Sequence, residues 1–199
     1  EYIPGISLAD LIKKEGALTV LRTREIMLQL LAAIESAHAK GVIHRDIKPD
    51  NIMIMTGAAG DVVKLVDFGI ATFTAATPEL NITLTQDFLG TPVYAAPEQL
   101  RGEKISYKID LFSWGLIYLE CLSGENAYNE SNPAQLLQRK LSSSSVPLPV
   151  SLSGTAIGVF LNWVLEKTVK RRAAETSEVL KRFKKIEMDD LLLDAGYLN

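Results

Sequence analysis

A disulfide within the chain is excluded at once, because the 199 residues contain a single cysteine, Cys121. One thiol cannot form a bridge within the chain, so a reducing compartment is expected, and we predict a cytoplasmic location. The chain also lacks a strong excess of charge, since its formal net charge is -3. This balance gives no support to a nucleic-acid partner or to contact of this segment with an anionic membrane.

Long apolar runs are lacking as well. The longest one, residues 111–122, is broken by Ser113, Gly115 and Glu120, so it predicts a buried helix and not a membrane span. No secretory signal is visible and the chain does not begin with methionine, so we expect a piece of a longer protein. With 47% hydrophobic residues, 199 residues suffice for one domain with a sizeable core.

Hydrophobic periodicity predicts a mainly helical chain with one small β-hairpin. Helices are expected over residues 8–14, 19–40, 110–123, 131–141, 155–166 and 174–186. Strands are expected over residues 42–43, 52–55 and 62–66, the last two joined by the turn 56–60. Residues 70–90 are rich in threonine and show neither period, which predicts a long functional loop.

Polar chemistry is concentrated between His44 and Asn51, where the sequence reads HRDIKPDN. Asp46 can accept a proton from an attacking hydroxyl, and Lys48 can neutralise charge on a phosphoryl oxygen. The amide oxygen of Asn51 suits a hard cation such as Mg²⁺. Pro49 fixes its own φ and favours an extended Lys48, so this loop is expected to be stiff.

The predicted hairpin should bring a second oxygen ligand close to Asn51. Asn51 precedes the first strand and Asp67 follows the second, so the turn of the hairpin returns the two residues to one place. Asp67 is followed by Phe68 and a glycine, and a turn-forming aspartate before glycine is the alternative interpretation.

Three motifs then occur in one order: residues 44–51, the Asp-Phe-Gly of 67–69, and the Ala-Pro-Glu of 96–98. Together they resemble the C-terminal lobe of a protein kinase of the bacterial serine/threonine type. The resemblance implies one kinase lobe over residues 1–187, mainly α in itself and α+β in the whole kinase. Within it lie a hinge at 1–6 and an activation segment at 67–98, and a tail follows at 188–199.

The resemblance implies ATP and Mg²⁺ as cofactors, with Mn²⁺ as a substitute for the metal. Asp46 becomes the catalytic base and Lys48 the phosphoryl contact. The hinge would place adenine against the backbone of Glu1 and Ile3, although a frayed terminus is the alternative there. The remaining nucleotide and metal contacts fall on Lys48, Asn51 and Asp67.

Control and substrate binding are assigned to the loop and its neighbours. Arg45, beside the base, would bind a phosphate added to Thr83 or Thr85, whose spacing from Thr91 resembles that of paired phosphoacceptors. Thr91 would itself shape the acceptor site. Thr91 to Glu98 resembles the platform on which a protein substrate lies.

Purely structural roles are expected for five further residues. His44, Phe68 and Asp110 resemble packing and hydrogen-bonding elements of the kinase lobe. Glu98 is expected to pair with Arg172, and loss of one partner of a buried pair costs about 3–5 kcal/mol. A solvated basic run at residues 170–172 is the alternative for Arg172.

The function implied for the parent protein is ATP-dependent transfer of a phosphoryl group to serine or threonine hydroxyls of a protein substrate. A kinase also needs a glycine-rich loop, a strand lysine and a helix glutamate, and this sequence contains none of them. We therefore expect the chain to require a small lobe as partner and to be poorly active alone. A non-catalytic kinase-like scaffold is the alternative. Small-molecule phosphotransferases lack the 91–98 platform and rank below both.

Overall fold

The computed structural model describes residues 4–58, 60–67, 93–130 and 132–186. The tail over residues 188–199 lies outside these ranges. So do six positions with predicted roles: Glu1, Ile3, Phe68, Thr83, Thr85 and Thr91.

The described residues form a helical body with a small sheet. The helices are α1 Leu8–Glu15, α2 Val20–His38, α3 Pro97–Leu100, α4 Lys108–Ser123, α5 Pro133–Leu141, α6 Ala156–Val164 and α7 Thr176–Lys185. Short 3₁₀ turns occur at Pro49–Asn51 and Val150–Leu152. The strands are β1 Ile6–Ser7, β2 Ile52–Gly57 and β3 Gly60–Leu65. The mainly α class with a β-hairpin is confirmed.

Helix starts follow from short polar side chains that accept the first unpaired backbone N–H groups. Ser7 caps α1 by accepting from the Asp10 N–H at 3.0 Å. Asn132 caps α5 in the same way, accepting from Ala134 at 2.8 Å. These caps fix where each helix begins.

The sheet has the order β1-β2-β3 and is antiparallel throughout. Ile52 lies opposite Leu65, so the predicted hairpin is confirmed and β1 adds a strand that periodicity did not indicate. The strand predicted at residues 42–43 is wrong. The N–H of Val42 instead donates to Ala37 at 3.0 Å, in the turn that ends α2, and no strand is assigned there among the described residues.

Polar contacts from α2 hold the hairpin in place. Arg22 Nε donates to Asp61 Oδ2 at 2.6 Å, and this hydrogen bond lowers the pKa of the Asp61 carboxyl. The side chain of Gln29 donates to the Asp61 carbonyl at 2.8 Å and accepts from the Val63 N–H at 3.1 Å. The hairpin is thus fixed to the same helix that leads into the loop at residues 44–51.

Helix α4 lies at the centre of the described body, because nearly all its side chains are buried. Trp114 donates from Nε1 to the Met27 carbonyl on α2 at 3.1 Å, and its ring meets Phe183 of α7 edge-on at 5.2 Å. Cys121 is buried in this core, and burial raises the pKa of its thiol. The start of α4 faces the loop at residues 44–51, which brings Asp110 to the candidate site.

Candidate active site

The catalytic-loop cluster consists of Asp46, Lys48 and Asn51. Lys48 Nζ lies 2.9 Å from Asp46 Oδ2. Asn51 donates from its amide nitrogen to the Asp46 carbonyl at 2.9 Å and to Asp46 Oδ2 at 3.3 Å. Lys48 is extended (φ -149°, ψ 160°), as expected before Pro49. The cluster presents an acceptor carboxylate that is 40% exposed beside a cation.

The loop backbone before the cluster is held by Asp110 from the first turn of α4. Asp110 Oδ2 accepts from the His44 N–H at 2.8 Å, and Oδ1 accepts from the Arg45 N–H at 2.9 Å. Arg45 has a φ of 70°, a conformation that is costly for a residue with a Cβ. Two hydrogen bonds to one buried carboxylate explain how the loop keeps this conformation.

Asp110 is held in turn by His38. His38 Nε2 lies 2.8 Å from Asp110 Oδ2, and its Nδ1 lies 2.6 Å from Thr176 Oγ1 at the start of α7. All three side chains are buried. The sequence alone assigns no role to His38, so this network is a structural finding.

His44 and Asn51 connect the loop to the segment that carries Asp67. The His44 ring Nε2 lies 3.0 Å from the Val66 carbonyl, and the Val66 N–H donates to the Asn51 carbonyl at 2.9 Å. Asp67 follows at once, with a φ of 54° and an exposed side chain. His44 thus connects the loop directly to the segment that precedes Asp67.

The donor set at this point suits Mg²⁺ bound to phosphates. Because the amide nitrogen of Asn51 faces Asp46, its oxygen is the atom available to a cation. Asp67 adds one exposed carboxylate, and Mg²⁺ in such sites takes one or two protein oxygens and completes its shell with phosphate and water. No group of three or more His, Cys, Asp or Glu residues suited to a metal occurs in the part of the chain described.

The platform segment is tied to the catalytic loop by Gln99. Its side chain accepts from the Ala96 N–H at 2.9 Å and donates to the Arg45 carbonyl at 3.0 Å. The carbonyl of Tyr94 accepts from Ser113 Oγ of α4 at 2.9 Å. Gln99 lies at the third residue of α3 and makes one half of a capping box, but Ala96 has no side-chain acceptor for the other half, so the sequence carries no capping-box motif here.

Glu98 and Arg172 form a buried bidentate ion pair. Arg172 Nη1 donates to Glu98 Oε1 at 2.5 Å and Nη2 donates to Oε2 at 2.9 Å. Their side chains are 1% and 0% exposed, respectively, so the alternative of a solvated basic run does not apply to Arg172. The pair fixes the start of α3, and with it the end of the platform.

A membrane crossing would need a helix longer and more apolar than any found among the described residues.

The sequence of this chain is similar to those of known proteins. The family described as Protein kinase domain matches residues 1–183. The chain is 36% identical over 173 residues to the serine/threonine-protein kinase PknD of Mycobacterium tuberculosis, which covers 87% of this chain and 25% of that protein. It is 33% identical over 171 residues to the serine/threonine-protein kinase PknB of the same species, and the match covers 86% of this chain and 26% of that protein. A probable serine/threonine-protein kinase PknB of Bifidobacterium longum is 38% identical over 156 residues, and the match covers 77% of this chain and 22% of that protein.

The chain belongs to the protein kinase family. Within that family it is of the bacterial serine/threonine type, as the order of its motifs predicts. The chain spans about a quarter of the length of these curated relatives.

Proposed function

We propose that this chain is the large lobe of an ATP-dependent kinase that transfers the γ-phosphoryl group to serine or threonine hydroxyls of proteins. The carrying observation is the cluster in which Asp46 accepts from Lys48 at 2.9 Å and from Asn51 at 2.9 and 3.3 Å. The platform segment joins the same loop through Gln99. An acceptor hydroxyl can therefore be bound beside the group that would take its proton.

In this mechanism Asp46 orients the acceptor hydroxyl and takes its proton as the oxygen attacks phosphorus. Lys48 Nζ stays close to that carboxylate and offsets negative charge on the transferred group. Asn51 and Asp67 would hold Mg²⁺, which neutralises phosphate charge when it is bound. Exposure of Asp46 and Asp67 leaves both carboxylates accessible to a nucleotide and an acceptor.

Binding of ATP is proposed to require a small lobe together with the hinge backbone at Glu1 and Ile3. The chain alone should then transfer phosphate slowly or not at all. Arg45 is proposed to bind a phosphate on Thr83 or Thr85, and Thr91 to shape the acceptor site. Phosphopeptide mapping of an active preparation tests this regulation, and an unmodified loop at full activity would contradict it.

The test of the proposed function uses Asp46→Asn in the full-length protein, with Asp50→Asn as the matched control. Asp50 lies on the same loop, is exposed and has no role in the mechanism. Loss of a catalytic base should lower kcat by about 10²–10⁴-fold. The control should stay within about twofold of wild type, because surface substitutions away from special features have small effects.

Two results would contradict this proposal. Equal turnover of Asp46→Asn and wild type would remove Asp46 from the chemistry. A full-length protein that binds ATP and transfers no phosphate would instead favour the non-catalytic scaffold.

A further inference from the structure

Lys140 is fully buried, with 0% relative exposure. Among the cations of the described residues that lack an ion-pair partner, it is the most deeply buried. Its Nζ donates to the Ala95 carbonyl at 2.7 Å. The ammonium lies over the Tyr128 ring at 4.7 Å and over the Phe112 ring at 5.7 Å. Burial of a lysine without a carboxylate partner is costly, so its presence here requires an explanation.

The charges around Lys140 do not offset this cost. Burial and, to a smaller extent, the positive charge of Lys167 lower the pKa of Lys140 to about 7, against an opposing effect of Glu130. Glu130 has its own cation, since Arg139 Nε lies 3.7 Å from its Oε1. The Tyr128 hydroxyl stays neutral near pH 7, because burial raises the pKa of Tyr128 to about 12. Lys140 therefore changes charge near neutral pH.

The carbonyl that Lys140 holds belongs to the platform segment. On one side of Ala95, the Tyr94 carbonyl accepts from Ser113; on the other, the Ala96 N–H donates to Gln99. Consecutive backbone groups are thus fixed from α4, α5 and α3, and only the contact from α5 carries a titratable charge. A methionine could fill the same space between aromatic rings at lower cost, so packing alone does not account for the lysine.

We propose that Lys140 is a positioning residue for the protein acceptor: its buried amine holds the Ala95 carbonyl and thereby sets the backbone on which the acceptor segment lies. The inference rests on the proposed kinase function and extends it to substrate binding. Lys140 acts only through Ala95, so the chemical step and the ATP site should not depend on it directly.

The charge state of the amine gives this role a measurable signature. The ammonium donates a charge-assisted hydrogen bond to Ala95, and the neutral amine donates a weaker one. The KM for a peptide acceptor should therefore rise about 3–5-fold as pH increases through 7, while the KM for ATP does not follow it. A peptide with a blocked amino terminus and no histidine keeps its own titration out of this range.

The experiment measures kcat and both KM values of the full-length protein for wild type, Lys140→Met and Lys167→Met between pH 6 and 9. Lys167 is the matched control: its Nζ donates to the Arg139 carbonyl at 2.7 Å, away from the platform. Lys140→Met should raise the peptide KM about 3–10-fold at pH 6.5 and abolish its pH dependence, with kcat within twofold. Lys167→Met should keep the pH dependence and move its midpoint upward, because a neighbouring like charge is removed.

Four outcomes overturn the inference. The first is an unchanged peptide KM in a folded Lys140→Met protein. The second is a fall in kcat and in the affinities for peptide and ATP together with a lower melting temperature, because this pattern indicates general damage to the fold. If Lys140→Met does not fold, the wild-type profile decides: a midpoint near 7 supports the role, and a flat profile refutes it. Absence of wild-type turnover overturns the proposed function and this inference with it, whereas turnover with unchanged KM overturns this inference alone.

Discussion

Substitution of Arg172 by methionine should destabilise the chain more than any other change in its basic run. Every N–H of the guanidinium is used in the structure. Nη1 and Nη2 bind Glu98, while Nε donates to the Glu166 carbonyl at 2.6 Å. The second hydrogens of Nη1 and Nη2 reach the carbonyls of Lys108 at 3.2 Å and Lys167 at 3.3 Å.

Removal of the guanidinium leaves Glu98 as a buried carboxylate without a counter-charge and leaves three carbonyls without this donor. Breaking one side of a buried pair costs about 3–5 kcal/mol. Domains have about 5–15 kcal/mol of total stability, so the variant should lose roughly a fifth of it or more. For a domain of this size the loss corresponds to a fall of roughly 6–20 °C in melting temperature.

Urea unfolding followed by circular dichroism and by tryptophan fluorescence provides the measurement. Arg171→Met is the matched control, because Arg171 is the adjacent exposed member of the same run and should change stability by less than about 0.5 kcal/mol. Glu98→Gln and the double variant complete a cycle, which should give a coupling energy of about 1–3 kcal/mol. Equal unfolding midpoints for the two arginine variants would refute the burial argument.

Three further predictions concern stability. Asp110→Asn should cost about 2 kcal/mol or more by urea unfolding, because a donor then faces one of the loop N–H groups that the carboxylate binds. Gly158→Ala should cost about 2–3 kcal/mol or more, since its Cβ would lie 1.9 Å from the Leu152 carbonyl oxygen, whereas Gly57→Ala meets nothing nearer than 3.9 Å and serves as control. Lys140→Met should stabilise the chain at pH 6–7 and progressively less toward pH 10. The pKa of Lys140 is about 7 in the folded state and 10.5 in the unfolded state, so as pH falls the unfolded state takes up a proton first and wild type loses stability. Full loss amounts to about 5 kcal/mol below pH 7, and Lys140→Met avoids it. The net gain of the variant is smaller by about 1 kcal/mol, because the hydrogen bond to Ala95 is lost. Thermal unfolding across this pH range that shows no such trend would contradict the reasoning.

The elements that the sequence predicts well are those with a local physical cause. The hairpin turn depends on short-range chain geometry, and the structure has it where expected. The strand at residues 42–43 fails because two β-branched residues have a strand preference but need a pairing partner. The helix expected over 155–166 ends at Val164. Short elements such as α3 and β1 are below the length that a periodic pattern can resolve.

The candidate site divides in the same way. The motif residues Asp46, Lys48 and Asn51 could be found from sequence because their order and spacing are characteristic. Gln99 and Lys140 could not, because their partners are backbone groups of segments far away in the chain. A lysine on an amphipathic helix is normally expected on the solvated face. The only sequence signal for its burial is its position one helical turn after Leu136, which is also buried.

A common physical reason connects Asp110, Lys140 and Arg172. The loops that carry chemistry are not part of helices or strands, so their backbone groups need partners from side chains. Charged side chains form the strongest such hydrogen bonds, and burial keeps water from competing for them. Asp110 and Lys140 lie on helices and hold loop backbone groups, whereas Arg172 lies between helices and holds Glu98 at the start of α3. Their substitution should consequently affect the order of the loops even where, as for Lys140→Met, the body of the protein becomes more stable.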